Sequence, residues 1–383
     1  MSEIKCYKIR LLPTKSQEQQ FFKNCGAVRF IYNWALELCD ETYKESKKHL
    51  SAYDVSNIYT KHQVRIDNPW LNEIPRATLQ RAFQDLQVAF KRFFNGISNY
   101  PKFKSRHKSK LSFYTRYDRL KFISNTQLKM GFNTSRKRET IKFISDREIP
   151  QGKFINPRIT FNGKYWLLSF GIENQDTEKP SVINEVIGVD VGIKELAVCS
   201  DGYVHPNINK SRTIKLLRKR LKRFQRKFAR CQKDSNNRKK LKCQIKLIYK
   251  RIADINKNHK HQLSSRLVKK LPRAIVVEDL SIRNMLKNRH LSRVIHECGW
   301  NELYEQLEYK CKESGIEFIK INRFYPSSKT CSSCGHIHKT LTLKDRVFTC
   351  PSCGFVMDRD LNAARNIAAY IGNGGTEFKS VDC

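Results

Sequence analysis

The sequence predicts a multidomain α+β protein, and three observations predict it. An alternating apolar stretch, EIKCYKIRLL at residues 3–12, opens the chain and is followed by long helical periodicities. Strand-like stretches return only after residue 100. Near the end, two Cys-x-x-Cys pairs lie in a region where strand and helix patterns alternate. A period of two reads as strand and a period near 3.6 as helix. The order therefore describes helices inserted into a sheet-bearing domain, followed by a second α+β domain with a metal knuckle.

Pro13-Thr14 ends the first strand, and Ser16 to Glu45 reads as helix, with Phe21, Phe22, Cys25, Val28, Phe30, Ile31 and Trp34 recurring at helical spacing. Gln17 and Glu18 suit its first turn. Residues 54–66 read as a second helix, Trp70 to Pro75 as a turn, and Arg76 to Ile97 as a third helix. One face of that helix carries Leu79, Phe83, Leu86, Phe90, Phe93 and Phe94, a stripe that reads as core. The other carries Arg76, Gln80, Arg81, Gln84 and Gln87. These side chains are ordinarily solvated, but Arg and Gln also read base edges in a groove. YPKFKSRHKSKLSFYTR, from residue 100, interleaves aromatic and basic residues as a surface tracking a nucleic-acid backbone does. Strands are expected at 141–144, 154–161 and 164–172. One early strand, a helical excursion and several late strands predict an interrupted β-barrel. The polar stretch GIENQDTEKP is the expected domain boundary.

Past the boundary, VIGVDVGIKELAVCS at 186–200 delivers Asp190 from an apolar strand. A buried carboxylate is costly unless it is paired or bound to metal, so Asp190 is either a satisfied structural acid or a site residue. In residues 211–270 more than a third of positions are Lys or Arg, and Asp234 and Asp254 are the only acids. Their apolar residues keep a helical period, predicting a two-helix hairpin with its turn at 235–237. Ala274 to Val277 reads as a short buried strand with Glu278 at its end; Asp279 points the other way. Ser292 to Ser314 reads as helix, IEFIKI as strand, and FYPSSKTCSSCG leads into the knuckle.

Cys331 and Cys334, then Cys350 and Cys353 after a 15-residue insert, have the spacing of a tetrahedral four-thiolate zinc site. A disulfide within Cys-x-x-Cys closes a short, strained loop and fits the chain less well. Asp358-Arg359-Asp360 precede a helical stretch, where an acid is ordinarily an N-cap. Asp190, Glu278 and Asp360 thus occur in the order strand hairpin, strand, helix, which fits an RNase H-like fold bringing three carboxylates together. Hard oxygen ligands suit Mg2+ or Mn2+, and two such ions about 3.5–4 Å apart serve phosphodiester hydrolysis.

The 383 residues carry a net charge of +38, which calls for a polyanionic partner. No apolar run suits a membrane helix and no secretory leader is apparent. The nine cysteines outside the knuckles suit a reducing cytosol.

Taken together, IGVDVGIKELAV, VVEDL, CSSCG, CPSCG and DRDLNAARNIA resemble the transposon-encoded TnpB nucleases, relatives of type V CRISPR effectors. GAVRFIYNWAL and GWNELYEQLEYKC extend the resemblance to nearly the whole chain. It implies a β-barrel wedge domain (1–15 and 100–180) with a helical recognition insert (16–99). It further implies a RuvC nuclease domain (181–325 and 355–383) with a zinc-ribbon insert (326–354). The implied activity is cleavage of double-stranded DNA, guided by an RNA made from the transposon end, next to a short transposon-adjacent motif. Asp190, Glu278 and Asp360 would be the Mg2+-binding catalytic acids, with Asp360 preferred over Asp358 by its place before Asn-Ala-Ala. Cys331, Cys334, Cys350 and Cys353 would hold zinc. Tyr53, Arg76, Gln80 and Thr115 occupy stretches matching the motif-reading surface. A cytoplasmic, nucleoid-associated monomer carrying one RNA is expected. The competing readings are a zinc-ribbon repressor that binds without cutting, and a transposase or its accessory protein.

Overall fold

The computed structural model describes residues 3–61, 64–106, 109–135, 137–145, 148–150, 152–174, 180–342 and 345–371. Residues 175–179 of the expected boundary and 372–383 of the expected nuclease segment lie outside them. The chain divides into two compact units, Met1–Thr177 and Glu178–Cys383. No described helix is long and apolar enough to cross a membrane.

In the first unit, β1 (Glu3–Leu12) buries Tyr7, Ile9 and Leu11 on one face, as its alternation predicts. Thr14 and Gln17 form a reciprocal capping box that starts α1 (Lys15–Ser46). Phe21 of α1 is fully buried, with the rings of Phe113, Phe132 and Trp166 at 5.5, 5.0 and 5.0 Å. The expected second helix is two pieces, α2 (Ala52–Lys61) and α3 (Val64–Asp67). The third, α4 (Arg76–Phe94), spans the whole stripe but ends before the expected Ile97. Leu79, Phe83 and Leu86 are core, but Phe94 is 58% exposed, so the stripe leaves the core at its C-terminal end. Asp85 of this helix takes both arms of Arg158, at 2.8 and 2.9 Å.

The later strands are β2 (Ser112–Tyr114), β3 (Leu120–Ser124), β4 (Gln127–Met130), β5 (Glu139–Ile144), β6 (Phe154–Phe161) and β7 (Trp166–Asn174). With β1 they form an antiparallel sheet in the order β2-β6-β7-β1-β5-β4-β3. The expected barrel is not closed, because β2 and β3 remain unpaired edges. β2 is only three residues long, and a 3₁₀ turn at Tyr117–Arg119 carries the chain away before a ladder can form. One side-chain bond bridges from the end of β2 instead: Thr115 Oγ1 donates to the Gly131 carbonyl at 3.0 Å, while Gly131 N, donating to the Arg119 carbonyl at 3.1 Å, extends the β3–β4 ladder.

The second unit centres on β8 (Ile183–Val191), β9 (Glu195–Cys199), β10 (Val204–Pro206), β11 (Pro272–Glu278) and β12 (Glu317–Ile321), in the order β10-β9-β8-β11-β12. β8, β11 and β12 run parallel, β9 returns antiparallel to β8, and β10 runs antiparallel to β9. Ile187, Val189 and Ala274 to Val277 are fully buried, as parallel strands covered on both faces must be.

The basic hairpin is α5 (Arg212–Arg230) and α6 (Asn236–Lys269). Its turn precedes the expected one, because the Ser235 hydroxyl accepts from Arg238 N and caps α6, pulling 236 and 237 into helix. The connection after β11 contains a short α7 (Ile282–Met285). The single helix expected over 292–314 is broken into α8 (Ser292–Cys298) and α9 (Trp300–Ser314), because Gly299 takes φ 62°, a left-handed conformation no helix contains. A small hairpin, β13 (Val347–Thr349) and β14 (Val356–Asp358), leads into α10 (Arg359–Ala369).

Candidate active site and metal centre

The register of β8 on β11 pairs Val189 with Val277, so the next residues, Asp190 and Glu278, stand side by side at the carboxyl ends of adjacent parallel strands. Neighbouring strands lie roughly 4.8 Å apart. Two steps back on β8, Gly188 faces α10: a Cβ built there would stand 2.1 Å from the Ala364 carbonyl oxygen and 2.5 Å from Ala368 N. Period two places Asp190 on the same face as Gly188, and Glu278 on the same face as Val276, which packs with Ile367 of α10. Asp360 is four residues before Ala364, on the same stripe of the helix. The three acids therefore converge where two strand ends meet the first turn of α10.

Each of the three residues is partly buried. Burial, and then the Glu278 and Asp360 carboxylates, push the Asp190 carboxyl well above its usual range; Asp358 adds to this and Arg359 opposes it. Burial also raises Glu278, opposed by a hydrogen bond donated by Ser327. Asp358 has the plainer role: it caps α10, accepting from Asp360 N at 3.0 Å and Leu361 N at 3.1 Å. Asp279 points away and pairs with Arg323 at 2.6 Å. An all-carboxylate set crowded against its own repulsion is the donor chemistry that hard divalent cations offset. The three sets of oxygens do not close to within 4.8 Å of one another, which among the described residues only the four knuckle cysteines do.

Those cysteines are unbridged, with Cys331 Sγ 3.8 Å from Cys353 Sγ and Cys334 Sγ 3.6 Å from Cys350 Sγ. A tetrahedron of thiolates about 2.3 Å from zinc has edges of roughly 3.8 Å, so the donor set fits the ion. Gly335 and Gly354, at φ 76° and 72°, let the chain turn back behind each pair.

Sequence reasoning missed the residues that join knuckle to acids. Asn362 of α10 donates to the Thr330 carbonyl at 2.7 Å and accepts from Ser332 N at 3.0 Å. Asn366, one turn on, donates to the carbonyls of Ser327 and Thr330 at 2.7 and 2.6 Å. Both asparagines are buried. The only available signal was their i, i+4 spacing beside the acid motif. On α5, Lys219, Arg220, Lys222, Arg223, Arg226, Lys227 and Arg230 line an open cleft of about 680 Å³. In the first unit, Tyr53 is 74% exposed and Arg76 and Gln80 are exposed, whereas Thr115 is buried with its hydroxyl committed to Gly131.

Three family models match the chain. They are described as "Helix-turn-helix domain" over residues 1–48, "Probable transposase" over 169–289 and "Cas12f1-like, TNB domain" over 300–367. A protein of Streptomyces pristinaespiralis named "Putative RNA-guided DNA endonuclease" is 35% identical, over 96% of this chain and 90% of the relative. InsQ of Escherichia coli K12, also named a putative RNA-guided DNA endonuclease, is 28% identical over 96% and 92%. The chain belongs to the TnpB family. Its fold is similar to that in a structure described as "Cryo-EM structure of the Cas12f1-sgRNA-target DNA complex", with TM-score 0.58 and 16% identity over 93% of this chain and 83% of that one. In this TnpB chain the transposase match ends past Glu278, and the TNB match spans the knuckle and most of α10.

Proposed function

We propose that this TnpB protein is an RNA-guided DNA endonuclease of RuvC type, cutting double-stranded DNA by phosphodiester hydrolysis. The observation that carries the reading is the register that sets Asp190 beside Glu278, under the helix turn that holds Asp360. The names of relatives matched over nine-tenths of the chain support it, as does the net charge of +38.

Asp190, Glu278 and Asp360 would hold two Mg2+ or Mn2+ ions, which when bound activate water and stabilise the leaving 3′ oxygen. The chain's own contribution is placement. Parallel strand ends fix two carboxylates, Ser327 orients Glu278, and Asp358 holds the turn presenting Asp360. The four cysteines would hold one structural zinc ion in the ribbon insert. The α5 cleft offers phosphate contacts to a guide RNA, and Tyr53, Arg76 and Gln80 offer side chains to the adjacent DNA motif. The protein would work as a monomer with one RNA.

The test is a plasmid carrying the guide-matched target and a randomised flank, incubated with the copurified RNA–protein complex and magnesium. Linear product from the wild type and none from Asp190→Ala is expected. A complex that binds target tightly yet never cuts it would establish the repressor instead, and full activity from RNA-free protein would exclude guiding.

A further inference from the structure

We infer that Phe324 is a base-stacking residue that seats the scissile DNA strand over the carboxylates, an inference that rests on the nuclease reading above. Its ring is 86% exposed, more than that of any other large apolar residue described, and it contacts no other ring among the described residues. Its neighbour Tyr325 shows the ordinary fate of an aromatic here, packing against Tyr370 at 5.0 Å.

What separates Phe324 from an incidental surface residue is the way its loop is held. Upstream, Ile321 pairs with Glu278 in the sheet register, and its carbonyl accepts from Asp279 N at 3.2 Å. Arg323 grips Asp279, donating from Nη2 at 2.6 Å. Asn322 Oδ1 accepts from Phe324 N at 2.9 Å, and Tyr325 N donates to the Asn322 carbonyl at 3.0 Å. Downstream, buried Ser327 donates to Glu278 and is fixed to α10 by Asn366. The loop is thus tied on both sides to the strand end carrying the candidate acid, and its tip presents one bare ring. A flexible tip would lose a stacking contact to entropy; a pinned one does not.

The chemistry that such a ring recognises is the face of an unpaired nucleobase. Every base has a π-face, so stacking holds a strand without reading its sequence, as a nuclease guided by another molecule requires. Stacking on an aromatic residue changes binding by about 5- to 150-fold per base. Phosphate contacts fix the backbone but leave it free to slide; a stacked base next to the carboxylates sets which phosphate lies over them.

The test uses the RNA-loaded protein and guide-matched single-stranded DNA bearing 2-aminopurine at successive positions around the cut. Calcium replaces magnesium for binding, and magnesium is restored for cleavage. Wild type should quench 2-aminopurine at one or two positions beside the cut. Phe324→Ala should lose that quenching, raise KM for the strand roughly tenfold and scatter the cut positions, with Tm unchanged. Phe324→Trp should restore all three. Phe324→Ala that cuts with wild-type KM and position overturns the inference while leaving the nuclease reading intact. A loss that Phe324→Trp fails to restore, or quenching unchanged by Phe324→Ala, also overturns it. Wild type that quenches but never cuts defeats the nuclease reading, and this proposal with it.

Discussion

Gly188 and Ala364 meet backbone to backbone: a single added methyl at 188 would lie 2.1 Å from the Ala364 carbonyl. Strand and helix can approach this closely only because position 188 has no side chain. Two residues on, the strand delivers Asp190, and four residues back the helix delivers Asp360, so this contact sets the spacing of the two acids. Gly188→Ala must push α10 off the sheet. Overpacking of this kind costs about 1–3 kcal/mol or more, because the atoms struck are backbone. We expect a lower urea midpoint with unchanged slope, and cleavage lost out of proportion to stability. A variant with wild-type midpoint and rate would show that the helix is free to move and that the contact does not position the acids.

Asp190→Asn separates catalysis from folding in the opposite direction. The carboxyl sits among Glu278, Asp360 and Asp358 and is partly desolvated, so its charge is a burden on the folded state. Removing it at neutral pH in magnesium-free buffer should raise Tm by about 2 °C, while cleavage in magnesium falls by roughly 10³-fold. Calorimetry and plasmid cutting on the same preparation check both. A lower Tm would mean that Asp190 is a satisfied structural acid.

The placement of these acids was legible in the sequence because apolar strands ending in a lone carboxylate have few folded solutions. Val186 to Val189 and Ala274 to Val277 are apolar runs that lead directly into Asp190 and Glu278, and such runs go to the centre of a parallel sheet. The knuckle was legible through spacing alone. The barrel was not. Closure depends on whether β2 and β3 pair across a turn, and a three-residue edge strand carries too little pattern to decide that. The single helix expected at 292–314 failed for a local reason: Gly299 sits in a run with good apolar periodicity, and periodicity is blind to φ. Asn362 and Asn366 read as ordinary helix residues because their partners, Ser327, Thr330 and Ser332, are 30 to 39 residues away and are carbonyls and amides rather than side-chain types.

Those asparagines couple the knuckle to the acids, which gives zinc removal a readable consequence. The loop at 326–332 runs from Ser327, on Glu278, to Cys331, in the thiolate set. Mass spectrometry of purified protein should find one zinc per chain. Cys353→Ser, at an exposed corner of the set, should lose that zinc and lower cleavage more than it lowers RNA binding, because the freed loop no longer holds Ser327 on Glu278. Zinc-depleted Cys353→Ser that cuts at the wild-type rate would show the knuckle and the acids to be independent.

A buried histidine on β10 sets an acid limit on the second unit. His205 is 3% exposed, stacked on His259 at 4.0 Å, with Nδ1 3.0 Å from the Tyr203 hydroxyl and Nε2 3.2 Å from the His259 carbonyl. Burial first, then the facing His259, depress it to about 4, with nearby Arg266 adding and the His259 carbonyl opposing. The unfolded chain takes up this proton near pH 6.5 and the folded one only near 4. Below 6.5 the unfolded state therefore binds more protons, and the contribution of His205, complete above 6.5, drains away as pH falls toward 4. The raised Asp190 and Glu278 work the other way, gaining stability for the folded state as pH falls, so the wild-type curve alone mixes both signs. The difference between wild type and His205→Gln isolates the histidine: urea midpoints measured from pH 8 to 4 should converge between 6.5 and 4. Parallel curves would mean that His205 takes up its proton at the same pH in the folded and unfolded chains, so that its burial does not depress it.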